Sequence, residues 1–84
     1  MKKYKCIEDY QGTGWCIDLV DTAEGWLERA IGWRDSDDSF EDSAERKKFI
    51  AYWNHKIKMG EEKELMDYIT DMWQIGFEEI KEQS

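Results

Sequence analysis

The sequence has no proline, a single histidine and only two cysteines. Without proline there is no rigid break to mark a linker, and no low-complexity stretch replaces it, so residues 1–84 read as one small domain. One histidine and no Cys-x-x-Cys pair exclude the usual zinc ligand sets. No stretch approaches the ~20 apolar residues of a membrane helix. The lysines at positions 2, 3 and 5 have the charge of a secretory signal, but Glu8 and Asp9 interrupt the apolar run that would have to follow. The expectation is a cytoplasmic protein with no membrane partner. Gly12-Thr13-Gly14 precedes a strand pattern, not a helix, so it is no phosphate loop. No nucleophile has a base at a defined spacing, and the chain is short for a water-excluding pocket. The expectation is therefore no enzyme, no cofactor and no metal.

What the sequence has in excess is acid, arranged in blocks. Twenty Asp and Glu face twelve Lys and Arg, for a net charge of −8. Residues 6–45 hold all their acids against Arg29 and Arg34 only, and residues 59–84 hold theirs against Lys63 and Lys81 only. Between them, Arg46, Lys47, Lys48, Lys56 and Lys58 form a block without acid. Such a surface repels nucleic acid and attracts basic partners. Five tryptophans supply core volume for a chain this size, so it folds despite its charge.

The patterning predicts an α+β fold, an N-terminal β-hairpin packed against about three helices. Residues 3–10 and 15–20 alternate as strands around a Gln11-Gly12-Thr13-Gly14 turn, with Tyr10 opposite Trp15 and Cys6 opposite Leu19. Cys6, Tyr10, Trp15, Ile17 and Leu19 then face the core. With that pairing, strand alternation sends Cys6 and Cys16 to opposite faces, while an odd loop would put them on one face several pairs apart; either way both are expected as free thiols. Asp21 or Thr22 caps a first helix that runs to about Trp33. An acidic loop follows at 35–43. A second helix covers about 44–59, with Phe49, Ile50, Trp53 and Ile57 inward and Gly60 as its stop. From 62 to 82 the apolar residues fall on one arc of a long helix, apart from Ile75; the alternation of Trp73, Ile75 and Phe77 gives the competing reading, a helix that ends in a third strand.

Two acidic groups are candidate partner-binding sites. On a long final helix, Glu64, Asp67, Asp71, Glu78 and Glu82 recur near one-turn spacing, about 5.4 Å per turn. That is a row of anions at intervals comparable to a nucleic-acid backbone. The loop adds Asp35, Asp37, Asp38, Glu41 and Asp42. Aligned to a calcium loop, Asp35, Asp37 and Ser39 would be its first ligands, but Phe40 stands where glycine is needed and Arg46 where the bidentate glutamate belongs. Calcium is thus not expected. Trp33, beside Arg34 at the loop edge, is the candidate exposed anchor. The basic block with Tyr52 and His55 reads as internal neutralisation rather than as a nucleic-acid patch.

Residues 9–33 carry a tyrosine, a glycine turn, a Trp-led strand with an acid, and then Asp-Thr-Ala-Glu-Gly-Trp-Leu-Glu-Arg-Ala-Ile. This resembles the opening of ArdA-type antirestriction proteins, and the whole chain resembles the small acidic phage proteins that block host defence, anti-CRISPR proteins included. The resemblance implies a DNA mimic acting in a bacterial host cell, an inhibitor of a basic nucleic-acid-binding protein such as a nuclease or CRISPR effector. The other class that the residues support is a small interaction module or homodimer whose acids serve only solubility.

Overall fold

The computed structural model describes residues 2–9 and 16–80. Strand β1 is Lys3–Glu8, β2 is Val20–Asp21, helix α1 is Ala23–Ser36, α2 is Ser43–Lys58, α3 is Glu62–Trp73 and β3 is Gly76–Ile80. The sheet is antiparallel with order β2-β1-β3, so the first strand is central. Its alternation is direct: Tyr4 and Cys6 are buried beneath the helices, while Lys3 and Ile7 face out. α1 and α3 rest on the sheet, and α2 packs against both. The α+β class and the hairpin against helices are as expected.

The helix ends follow from local chemistry. Thr22 caps α1 by accepting from the Gly25 N–H at 3.2 Å, and Asp42 caps α2 by accepting from the Glu45 N–H at 2.8 Å. Glu45 reaches back to the Glu41 N–H at 2.9 Å, a reciprocal cap. α2 stops at a left-handed Gly60, φ 77°, where the Gly60 and Glu61 N–H groups bond back to Ile57 and Lys56. α1 ends the same way on Asp38, φ 56°, with Asp38 and Ser39 bonding back to Asp35 and Arg34. That extra turn takes Asp35 and Ser36 into the helix, so the acidic linker is 37–42 rather than 35–43.

The core joins Tyr4, Cys6, Cys16, Ala23, Trp26, Leu27 and Ala30 to Trp53, Leu65, Met66, Ile69 and Ile75. On α1 the spacing 23, 26, 27, 30 is one helical stripe. Trp26 is fully buried, donates its indole N–H to the Tyr4 carbonyl at 3.0 Å, and meets Phe77 edge-on at 4.7 Å. Of the inward stripe expected on α2, Trp53 is buried while Phe49, Ile50 and Ile57 are half-buried.

Three expectations are corrected. The second strand, expected over 15–20, is Val20–Asp21 among the described residues. The register is as read, with Tyr4 opposite Asp21, Lys5 opposite Val20 and the Cys6 N–H on the Leu19 carbonyl, but 16–18 form a tight turn. Asp18 sits at φ 71° and the Leu19 N–H closes onto the Cys16 carbonyl at 3.1 Å. That turn swings Cys16 inward, so both cysteines are fully buried in one core, as free thiols, rather than on opposite faces. Leu19, read as a core residue, is 36% exposed. The 10–15 turn and the Tyr10–Trp15 pair lie outside the described residues.

The single helix over 62–82 is the third. α3 ends at Trp73, Gln74 turns left-handed at φ 55°, Ile75 is buried, and β3 pairs with β1 from Lys3 opposite Ile80 to Cys6 opposite Phe77. Ile75, the misfit on the helical arc, marks the break. The physical reason is tertiary: the second edge of β1 needs backbone partners, and a strand supplies them where a helix cannot. Ile80 does lie opposite the outward Lys3, off the core face, as a strand requires.

Candidate functional site

Most bases are spent inside the fold. Arg29 pairs with Asp21, joining α1 to β2. Arg34 pairs with Glu45 at 3.3 Å and Arg46 grips Asp35 through two nitrogens at 3.0 and 3.1 Å, joining α1 to α2. Lys56 reaches Glu61 at 2.9 Å and Glu64 at 2.8 Å, joining α2 to α3. Lys2 and Lys5 pair with Glu79 and Asp18. Of the basic block, Arg46 and Lys56 neutralise neighbouring acids, while Lys47, Lys48 and Lys58 are exposed and make no ion pair among the described residues. Lys56 is pushed up by its bonds to Glu64 and Glu61, and Glu61 is held below the usual carboxylate range by Lys56.

The predicted acids therefore divide. Asp35 and Glu64 are ion-paired, and Asp42 is occupied as a cap. Asp37, Asp38 and Glu41 in the linker, Asp67 and Asp71 on α3, and Glu78 on β3 are exposed and make no ion pair among the described residues. The five-acid helical row is not formed, because Glu78 stands on a strand and Glu82 lies outside the described residues. What remains is two short anionic groups, one at the α1–α2 junction and one along α3 and β3.

Trp33 is half-buried and packs on Trp73, ring centres 5.1 Å apart, which ties it into a cluster instead of leaving it free. From there the rings continue through Tyr68 to Trp53 and Phe49, and Phe49 meets Phe40 at 5.4 Å. The Arg34 guanidinium lies 4.2 Å from the Phe40 ring centre and donates to the Ser39 carbonyl at 3.0 Å. This pins the acidic linker to the helices. Sequence reasoning missed it because Phe40 is an isolated aromatic in an acidic loop, with no periodicity to place it.

Two concavities border the surface. One of about 600 Å³ lies where α1 begins and α2 ends, lined by Glu24, Asn54, His55, Lys58 and Glu62 among others. His55 has no hydrogen bond there among the described residues, so nothing fixes its tautomer. The other, about 150 Å³, lies between α3 and β3. Among the described residues, no three His, Cys, Asp or Glu side chains converge as metal ligands, and no helix is long and apolar enough to cross a membrane.

The fold and surface define an acidic α+β module in which all three arginines and Lys56 are taken up by ion pairs between its own elements. No protein-family model matches the chain, and neither a curated protein nor a solved structure is similar to it.

Proposed function

We propose that this protein is a non-enzymatic inhibitor that binds the nucleic-acid site of a basic protein in the bacterial cytoplasm, its carboxylates standing in for phosphates. One observation carries the reading: Arg29, Arg34, Arg46 and Lys56 are each taken up by other acids, and the carboxylates of 37–41 and those of Asp67, Asp71 and Glu78 make no ion pair among the described residues and stand exposed. An ordinary soluble surface intersperses both signs. The likeness to antirestriction and anti-CRISPR proteins supports a host-defence nuclease or CRISPR effector as the target. Electrostatic capture of this kind depends on salt, because the Debye length shrinks from about 10 Å at 0.1 M to about 3 Å at 1 M.

The test is capture from bacterial lysate at low salt on the tagged protein. A nucleic-acid-binding protein that is retained, released by a salt step and competed by DNA supports the reading. Replacing Asp67, Asp71 and Glu78 by lysine should abolish that capture. A partner indifferent to salt and DNA refutes it. The competing reading, an apolar dimer, has one observation in its favour: Ile7 and Val20 are 50% and 45% exposed on the outer sheet face. It predicts self-association that survives the lysine substitutions.

A further inference from the structure

β3 is an edge strand. One side is fully engaged with β1, and on the other side the backbone groups of Gly76–Ile80 make no hydrogen bond to any described residue. Exposed edges of this kind are templates for another strand, and proteins guard them with charge, proline or a cover. Here the guards are Glu78 and Glu79, both exposed.

On the helix-facing side of the sheet a groove lies between β3 and α3. Tyr4, Met66 and Phe77 give it an apolar floor, Asp67, Glu79 and Lys63 stand around it, and Lys2 lies 3.6 Å from Glu79, an exposed pair that a basic segment would have to displace. Tyr4 is buried, and its phenol is raised by that burial first and by the charges of Glu62 and Glu79 second. An edge strand with a helix beside it is a recurring receptor for extended peptides: main-chain bonds give affinity and pockets for alternate side chains give selectivity.

The occupant can be argued from charge. A second copy pairing antiparallel along the whole strand would set Glu78 against Glu78 or Glu79 of its partner, and like charges directly opposite are destabilising. A basic strand reverses the sign at each of these positions. We propose that the β3 edge and its groove bind an extended, basic segment of a partner protein as a fourth strand. Lysine or arginine on its helix side lays its stem on Met66 and Phe77 and its charge by Asp67 and Glu79, while those on the other face meet Glu78. This rests on the preceding reading only for the positive sign of the partner.

The experiment uses the full chain, isotope-labelled, and blocked peptides of alternating valine and lysine, about seven residues long to match a strand. Two further peptides carry N-methyl groups on alternate residues, one of each parity, and a fourth has the same composition with the lysines grouped. The alternating peptide should bind, protect amides within Gly76–Ile80 from exchange and shift Met66 and Asp67. One N-methyl parity should weaken binding tenfold or more and the other should not. Combined Asp67→Asn, Glu78→Gln and Glu79→Gln should weaken it to a similar degree. Equal binding by both N-methyl peptides or by the grouped peptide, or no binding at all, overturns strand addition. So does concentration-dependent protection of β3 without peptide, which would mean a second copy. Tight binding of the grouped peptide would leave the basic-partner reading standing alone. Strand addition without any DNA-competed partner would sink mimicry and keep the docking edge.

Discussion

Gly25 and Gly32 lie on one helix under different constraints, and replacing each by alanine separates them. A Cβ at Gly32 meets nothing within 4 Å, whereas one at Gly25 would stand 2.2 Å from the Asp21 carboxylate. Gly32→Ala changes only backbone freedom, so it should stabilise by about 1 kcal/mol. In a domain of this size that raises Tm by ~4–8 °C. Gly25→Ala gains at most the same amount, but Asp21 must swing away. It then loses the Thr22 N–H, now at 2.7 Å, and its pair with Arg29. A hydrogen bond to a charged acceptor is worth ~1.5–3 kcal/mol. The ion pair, a third exposed on each side, adds no more than ~1 kcal/mol. Gly25→Ala should therefore destabilise by roughly 0.5–3 kcal/mol, the difference of these terms. Thermal and urea unfolding followed by tryptophan fluorescence measures both. In an Asp21→Ala background, Gly25→Ala should become stabilising. The Arg29 hydrogen bond holds Asp21 below its ordinary 3.8, so its contribution is complete above about pH 4 and is lost as pH falls through the folded value. The two alanine variants should therefore converge in acid. If Gly25→Ala stabilises the wild-type chain as much as Gly32→Ala, the carboxylate holds nothing and the reasoning fails.

Trp26→Phe removes the buried bond to the Tyr4 carbonyl and should cost ~1–3 kcal/mol, read as a lower urea midpoint. Asp38→Gly relieves a left-handed non-glycine residue and should raise stability by ~0.5–1 kcal/mol, read as a higher Tm, while weakening a captured partner. The Cys16 thiol is pushed up to about 11, by burial first and by Cys6 second, from an ordinary 9.0. Its contribution to stability is complete below pH 9 and lost as pH rises toward 11. Denaturant midpoints should fall over that range, the fall should shrink in Cys16→Ala, and thiol reagents should react slowly at pH 8.

What was legible in the sequence was local chemistry. Thr22 and Gly60 announce helix ends because caps and left-handed stops are written in single side chains, whereas Asp42, read as a surface acid, turned out to be the cap of α2. The 23, 26, 27, 30 stripe and the β1–β2 register follow from periods that the backbone imposes. Cys16 was misplaced because one left-handed residue, Asp18, undoes strand alternation without a glycine to signal it. The tail was misread because 62–82 satisfies a helical arc almost throughout. Its strand exists only through β1, a partner distant in sequence. With that helix went the continuous anionic row, whereas the pairing of Arg46 and Lys56 with acids of neighbouring helices was foreseen from charge order, and that of Lys47, Lys48 and Lys58 is not seen among the described residues.

The ion pairs and the unpaired acids make opposite demands on salt, and this separates structure from surface. Arg29, Arg34, Arg46 and Lys56 each bridge two elements, yet their partners are about a third exposed or more, so each pair contributes little to stability. A net charge of −8 on so small a chain costs stability through self-repulsion. Screening weakens both terms, but the pairs are in contact while the repulsion acts over longer distances, which ions screen first. Moderate salt should therefore stabilise the fold. The same salt should weaken any partner held by Asp67, Asp71 and Glu78. A fold that loosens in step with its complex would mean that the pairs outweigh the repulsion, and that the surface carboxylates are retained at no cost to stability.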